Sequence, residues 1–250
     1  SVTFLPDMFL IVLAYRFHPR YPLIVLANGD EFLDRPTTAA HFWSDRPGVL
    51  AGRDQRAGGT WMGVSTYGRF AALTNHRDLR KAPIDGPSRG ELVVRALEGE
   101  LPAKDEQPME GYNLIHGPID SLNYRSNVLS MEVPLSNGIH GLSNAHLDTP
   151  WPKVERLKRS FAELLELPDP HPDAMFDLLL DRTIAADEDL PDTGLDNLRE
   201  RALSAAFIAT PGYGTRCSTL LLVDVQGGAH YEERTHQPPG RVLELFNITQ

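Results

Sequence analysis

Prolines and glycines, twenty of each in 250 residues, cut the apolar sequence into short runs, and that punctuation confines the fold to many short elements. The longest run, residues 9–15, is followed by "RFHPRYP" and then by the Ile-, Val- and Leu-rich residues 23–27. The prolines between them stop a helix, so the two runs read as a hairpin-like strand pair. Gly58-Gly59 and Tyr67-Gly68 supply further turns beside strands at 60–65 and 69–75.

Residues 88–100 carry a capping pair, Ser88 and Glu91, and place Leu92, Val93, Ala96 and Leu97 at helical spacing. Residues 101–111 are polar with two prolines and read as a loop, the one segment expected to be mobile. Strands at 112–116, 121–126, 130–135 and 139–143 read as a meander. A second helix starts at Trp151-Pro152, where proline suits the first turn, with Val154, Leu157, Phe161, Leu164 and Leu165 in one stripe. A third covers about 173–181, and both stripes are core faces. Strands at 205–209, 218–225, 229–235 and 241–246 close the chain, with "QGG" turning the middle hairpin. Strands, helices and strands in blocks imply an α+β protein, a sheet-rich sandwich with segregated helices. No repeat or linker divides it, so residues 8–250 form one expected domain.

The composition excludes several classes. Net charge is -10, and no stretch clusters Lys and Arg with aromatics, so neither nucleic acid nor an anionic membrane surface is an expected partner. Residues 9–15 are too short to span a bilayer and follow Asp7 rather than a basic flank, so they read as a buried strand and not as a secretion signal. Cys217 is the only cysteine, which rules out an intrachain disulfide and is compatible with a reducing, cytoplasmic location. There is no P-loop, HExxH or paired CxxC, and His140 and His146 read as strand or surface filler, so no metal site is expected. Cys217 itself reads as a buried structural thiol.

Polar groups gather at strand termini. In "LIVLANGDEFLDRP" the apolar run breaks into Asn28, Gly29, Asp30 and Glu31, with Asp34 and Arg35 behind. That is either a turn with solvated charges or a strand end presenting site residues from a rigid scaffold. "GRFAALTN" ends a strand at Asn75, "GIHGLSN" ends one at Asn144, and "PGYGTRCSTLLL" begins one at Arg216. Asn can donate to a carbonyl and accept from an amine, and Arg can grip a carboxylate with two parallel hydrogen bonds.

Taken together, "MFLIVLAYRFHPRYPLIVLANGDEFLDRP", "LAGRDQRAGGTWMGVSTYGRFAALTNHRD", "SRGEL", "GLSNAHLDTPWPKVERLK", "LPDTG" and "YGTRCSTLLLVD" resemble the NRDE family, also called the transport and Golgi organisation 2 family, in its order and over nearly the whole chain. The resemblance implies a relation to N-terminal nucleophile hydrolases, hence a four-layer αββα sandwich of two antiparallel sheets. Carried from the bile-salt and penicillin amidase branch, it implies catalytic roles near Phe9, Gly29, Asp30, Asn75, Asn144 and Arg216, with Asn28, Glu31 and Trp61 as ligand-binding positions. In such a site the free α-amino group deprotonates the adjacent thiol, and asparagine amides stabilise the oxyanion.

The chain departs from that pattern twice. Phe9 stands where the family has its nucleophilic cysteine, and Gly29 stands where it has the arginine of its name motif. Residues 1–7 extend beyond the expected start and read as a vector remnant or an upstream start. The favoured expectation is therefore non-catalytic binding or trafficking of an apolar small molecule. The resemblance points to an acyl-lipid or to haem as a ligand, with no cofactor required. The alternative is an amidohydrolase that cleaves a non-peptide C–N bond of an acyl amide, with an N-terminal cysteine in the native chain. Oligomeric state is not readable from the sequence.

Overall fold

A computed structural model describes residues 8–167 and 169–249. The two apolar runs form β1 (Met8–Tyr15) and β2 (Leu23–Phe32), paired antiparallel from Met8↔Asp30 to Tyr15↔Leu23. The first sheet has the order β10 (Gly138–Leu142), β1, β2, β12 (Tyr213–Val223), β13 (Gly228–His236), β14 (Pro239–Asn247), with β11 (Ala209–Thr210) beside the start of β12. The second contains β3 (Thr37–Phe42), β4 (Val49–Asp54), β5 (Met62–Ser65), β6 (Arg69–Asn75), β7 (Tyr112–Pro118), β8 (Asn123–Ser126) and β9 (Met131–Pro134), each strand beside its sequence neighbour.

Alternation along the central strands builds the layers. In β1, Ile11, Leu13 and Tyr15 enter the core between the sheets, while Leu10, Val12 and Ala14 meet helices on the other side. Strands buried on both faces read as unbroken apolar runs, which is why this pair is so visible in the sequence. α2 (Pro152–Leu165) and α3 (Pro172–Leu179) cover the first sheet through Val154, Leu157, Phe161, Met175, Phe176 and Leu179. α1 (Gly90–Glu98) covers the second through Leu92, Val93, Ala96 and Leu97, and a short α4 (Asn197–Ala202) precedes the last strands. The layers are helix, sheet, sheet, helix, as the resemblance implied.

Several local expectations are corrected. β2 does not end at Ala27 but runs to Phe32, because β1 and β12 both pair with it and the ladder overrides the low strand propensity of Asn, Gly and Asp. Residues 139–143 do not complete the meander; β10 crosses to the edge of the first sheet and pairs with β1. Residues 205–208 are buried without forming a strand. Their backbone is satisfied elsewhere: Asn28 Nδ2 donates to Ala206 O at 2.8 Å, Ile208 N–H donates to Thr215 Oγ1 at 2.9 Å, and Phe207 N–H donates to Asp181 O at 2.8 Å.

The capping pair does not form. The N-cap of α1 is Arg89, and the helix start is set by the backbone of Gly59 and Thr60, against which Gly90 packs. β3 and β4 give no strand signal in the sequence, since β3 alternates irregularly across a bulge between Thr38 and His41. The loop at 101–111 is tied down: Arg125 Nη2 donates to Pro102 O and Ala103 O, both at 2.8 Å, and Tyr112 OH donates to Asp105 at 2.6 Å.

Candidate functional site

Register places three departures from apolar packing side by side. Phe9 of β1 lies opposite Gly29 of β2, and Gly29 lies opposite Cys217 of β12, on strands about 4.8 Å apart. All three point to the inter-sheet side. A Cβ added at Gly29 would stand 2.9 Å from Phe9 Cε1 and 3.1 Å from Cys217 Sγ, so the ring and the sulfur share the space above the glycine. The Phe9 ring stacks on Trp61 with centroids 5.8 Å apart and planes 16° from parallel.

These residues form part of a cleft of about 610 Å3, within the range of small-molecule sites. Glu31, Asn75, Arg216 and Glu233 line it as well. The cleft runs to the start of α1, where Ser88, Arg89 and Gly90 form its far edge. Glycine at position 59 makes that approach possible, because a Cβ there would lie 2.6 Å from the Gly90 carbonyl carbon.

Of the nine positions expected from the sequence, Phe9, Gly29, Glu31, Trp61, Asn75 and Arg216 share this cleft. Asn28 and Asp30 do not line it, because their parity in β2 turns them toward the helices. Asn28 donates to the Leu179 and Ala206 carbonyls at 2.8 Å each, and its Oδ1 accepts from Ser218 Oγ at 2.6 Å, so it ties the helical layer to the sheet. Asp30 is fully buried and accepts from Thr215 Oγ1 at 2.6 Å. Burial raises its pKa against the pull of nearby Lys153, whose own pKa burial lowers. Asn144 lies behind the cleft wall and donates from Nδ2 to the Asn75 carbonyl at 3.0 Å, so it props the backbone of a cleft residue.

Arg216 reaches the cleft through a β-bulge. Thr215 pairs with Asp30 and Cys217 with Gly29, leaving Arg216 as the extra residue that re-aims its strand. Its Nη1 donates to the Phe32 carbonyl at 3.2 Å and to the Arg35 carbonyl, so one arm of the expected carboxylate grip holds the loop after β2. Arg35 in turn pairs with Asp54 at 2.6 Å and with Glu31 at 3.4 Å. A cation therefore stands beside Glu31 although position 29 carries none.

Sequence reasoning missed Glu233. Ala229, Tyr231, Glu233 and Thr235 share one face of β13 by strand periodicity, and an acid on an inward face is a signal that could have found it. Its Oε1 accepts from Ala40 N–H at 2.9 Å, while Oε2 is buried with no hydrogen-bond partner of ordinary geometry among the described residues. Burial pushes the carboxyl up to about 7, against the pull of the Ala40 amide and the Cys217 thiol. Cys217 is buried, as expected, and burial with the adjacent acids pushes its thiol well up. His140 bonds Asp148 at 2.7 Å and His146 packs on His76, both away from the cleft. Among the described residues no cluster of His, Cys, Asp or Glu is placed to hold a metal, and no helix is long and apolar enough to cross a membrane.

Fold and site define an α+β protein of four layers with an aromatic and polar cleft at one end of its paired sheets. The family model for transport and Golgi organisation 2 matches residues 8–238, and the chain belongs to that family. It is 33% identical over 255 residues to the transport and Golgi organization 2 homolog of Mus musculus, covering 90% of this chain and 92% of the relative. It is 28% identical over 248 residues to transport and Golgi organization protein 2 of Drosophila melanogaster, covering 86% of each. Among solved structures, a Caenorhabditis elegans ortholog of N-acylethanolamine-hydrolyzing acid amidase matches at TM-score 0.48 and 11% identity, over 85% of this chain and 92% of that one. A mutant conjugated bile acid hydrolase from Clostridium perfringens matches at TM-score 0.48 and 9% identity, over 97% of this chain and 92% of that one.

Proposed function

We propose that the cleft binds an apolar small molecule, an acyl-lipid or haem, and that residue 9 performs no chemistry on it. The observation that carries this reading is the Phe9 ring stacked on Trp61 inside the cleft. A phenyl group cannot attack a carbonyl, but two parallel rings offer an apolar wall. Arg56 at the exposed rim gives an anionic head group a cation to meet.

Titration of the full chain with palmitoyl-CoA and with haemin, followed by Trp fluorescence and by absorbance, tests the reading. Saturable binding of at least one ligand below about 100 µM is expected, weakened about tenfold by Trp61→Ala. No saturable binding of either would remove it.

A second reading, cleavage of an acyl amide, is favoured by Asn75 and Arg216 remaining in the cleft with Phe9. It requires a thiol at position 9 with a free amine. Removing residues 1–8 and installing Phe9→Cys with Gly29→Arg supplies both, and absence of acyl amide cleavage above background in that variant would end this alternative.

A further inference from the structure

A second concavity lies on the helix-covered face of the second sheet, at the opposite end of α1 from the cleft. Strand register assembles it. His116 of β7 lies opposite Asn123 of β8, Arg125 of β8 lies opposite Glu132 of β9, and Arg69 stands two residues before Ala71, the β6 partner of His116. These five side chains line a pocket of about 520 Å3, and none of them lines the cleft.

The charges of this pocket do not balance. Glu132 is the one carboxylate in its lining; it accepts from Arg125 Nε at 2.6 Å and stands 3.2 Å from His116 Nε2. Arg69 makes no ion pair among the described residues. Its Nε donates to the Ala96 carbonyl at 2.7 Å, which fixes the guanidinium across the end of α1 and leaves Nη1 and Nη2 without a hydrogen bond among the described residues. Arg125, with 6% of its surface exposed, spends Nη2 on the Pro102 and Ala103 carbonyls. Its Nη1 has at most the neutral Tyr112 hydroxyl, which gives its own proton to Asp105 at 2.6 Å. Two guanidinium groups therefore share one lining carboxylate, an excess of one positive charge that protonation of His116 raises to two, in a chain of net charge -10. Burial lowers the His116 pKa against the pull of Glu132, and Arg125 and Arg69 lower it further.

We propose that this pocket binds a phosphate group, carried by a small phosphorylated molecule or free in solution. The Arg69 fork is held by its Nε and offers donors in the planar geometry that phosphate accepts from two atoms at once. The Asn123 amide adds a neutral donor on the same face. An excess of two positive charges with His116 protonated matches a phosphate dianion better than a singly charged carboxylate. Leu101 and Ala103 at the edge give an organic remainder apolar surface to lie on. The inference stands apart from the reading of the cleft.

Calorimetric titration of the full chain with inorganic phosphate and with glycerol 3-phosphate, at about pH 6.5 and about 20 mM salt, tests it. Saturable binding of at least one, with Kd below about 1 mM, is expected, weakened about tenfold in Arg69→Gln and also by about 0.5 M chloride. Tighter binding of the ester supports a phosphorylated small molecule as the occupant, and tighter binding of the inorganic ion supports free phosphate. Proton NMR supplies the location: the His116 ring signal, identified by its loss in His116→Gln, should titrate at higher pH with phosphate than without. No saturable binding below about 10 mM, undiminished binding in Arg69→Gln, acetate bound as tightly as phosphate, or a His116 titration that phosphate leaves unmoved overturns the proposal. Should Arg69→Gln fail to fold, the His116 titration of the wild type decides alone.

Discussion

At position 9 the ring and at position 29 the absent side chain are one steric event. Phe9 occupies the volume that any residue larger than glycine at 29 would need, so each departure accommodates the other. Gly29→Ala should destabilise the protein by about 1–3 kcal/mol through overpacking, and by measurably less in a Phe9→Ala background. A double-mutant cycle in urea should return a coupling of about 0.5 kcal/mol or more, and additive effects would show the ring can move aside. Glu233 makes a second residue-scale prediction. Its folded pKa of about 7 exceeds the ordinary 4.5, so between those values the folded chain keeps a proton that the unfolded chain releases. Stability from this group is fully present below about pH 4.5 and is lost as pH rises through about 7. Asp30 is raised too, so Glu233 supplies part of the slope. Urea midpoints measured from about pH 4.5 to about 7.5 should fall less steeply in Glu233→Gln than in the wild type. Parallel curves would show that burial does not hold this carboxyl up. Phe9 and Gly29 are conspicuous in the sequence only through the family pattern. Glu233 needed the face of β13 to be known, and Asn28 and Asp30 were misplaced because one residue of strand parity decides between cleft and helix.

At the scale of elements, the bulge in β12 and the start of α1 shape the cleft. The bulge lets Thr215 face the helices while Arg216 and Cys217 face the cleft, and Thr215 Oγ1 both donates to Asp30 and accepts from Ile208 N–H. Thr215→Val keeps the shape but strands two buried polar groups, at an expected cost of about 1–3 kcal/mol in chemical denaturation. Gly59→Ala presses a methyl group onto backbone at Gly90 rather than onto a side chain that can turn away. It should displace α1 and weaken ligand binding in the titration above, with a smaller effect on the first sheet as seen by hydrogen exchange. Strands β1, β2, β7, β12, β13 and β14 and helices α2 and α3 are legible from apolar runs and helical spacing. The bulge, the edge pairing of β10 and the strandless burial of residues 205–208 are not. Each is fixed by partners distant in the chain or by a side chain replacing a ladder hydrogen bond.

Across the whole molecule, Arg77 joins the layers. Its N–H donates to the Asn144 carbonyl at 2.8 Å, its guanidinium lies over Trp151 at the head of α2, and its Nη2 pairs with Glu200 of α4 at 2.7 Å with both side chains 2% exposed. Arg77→Ala leaves Glu200 buried without that cation and should cost about 3–5 kcal/mol. Alanine keeps the backbone N–H that ties Asn144, so stability should fall with ligand affinity little changed; a parallel loss of affinity would show that the side-chain tie supports the cleft as well. The sequence by itself determined most of the strands, the three longer helices, the α+β class and the residue types available to a site, because local periodicity and proline or glycine breaks act within a few residues. Only the tertiary structure decided that Phe9, Gly29, Cys217 and Glu233 meet. That meeting depends on register between strands distant in the chain, and register is a property of the assembled sheet.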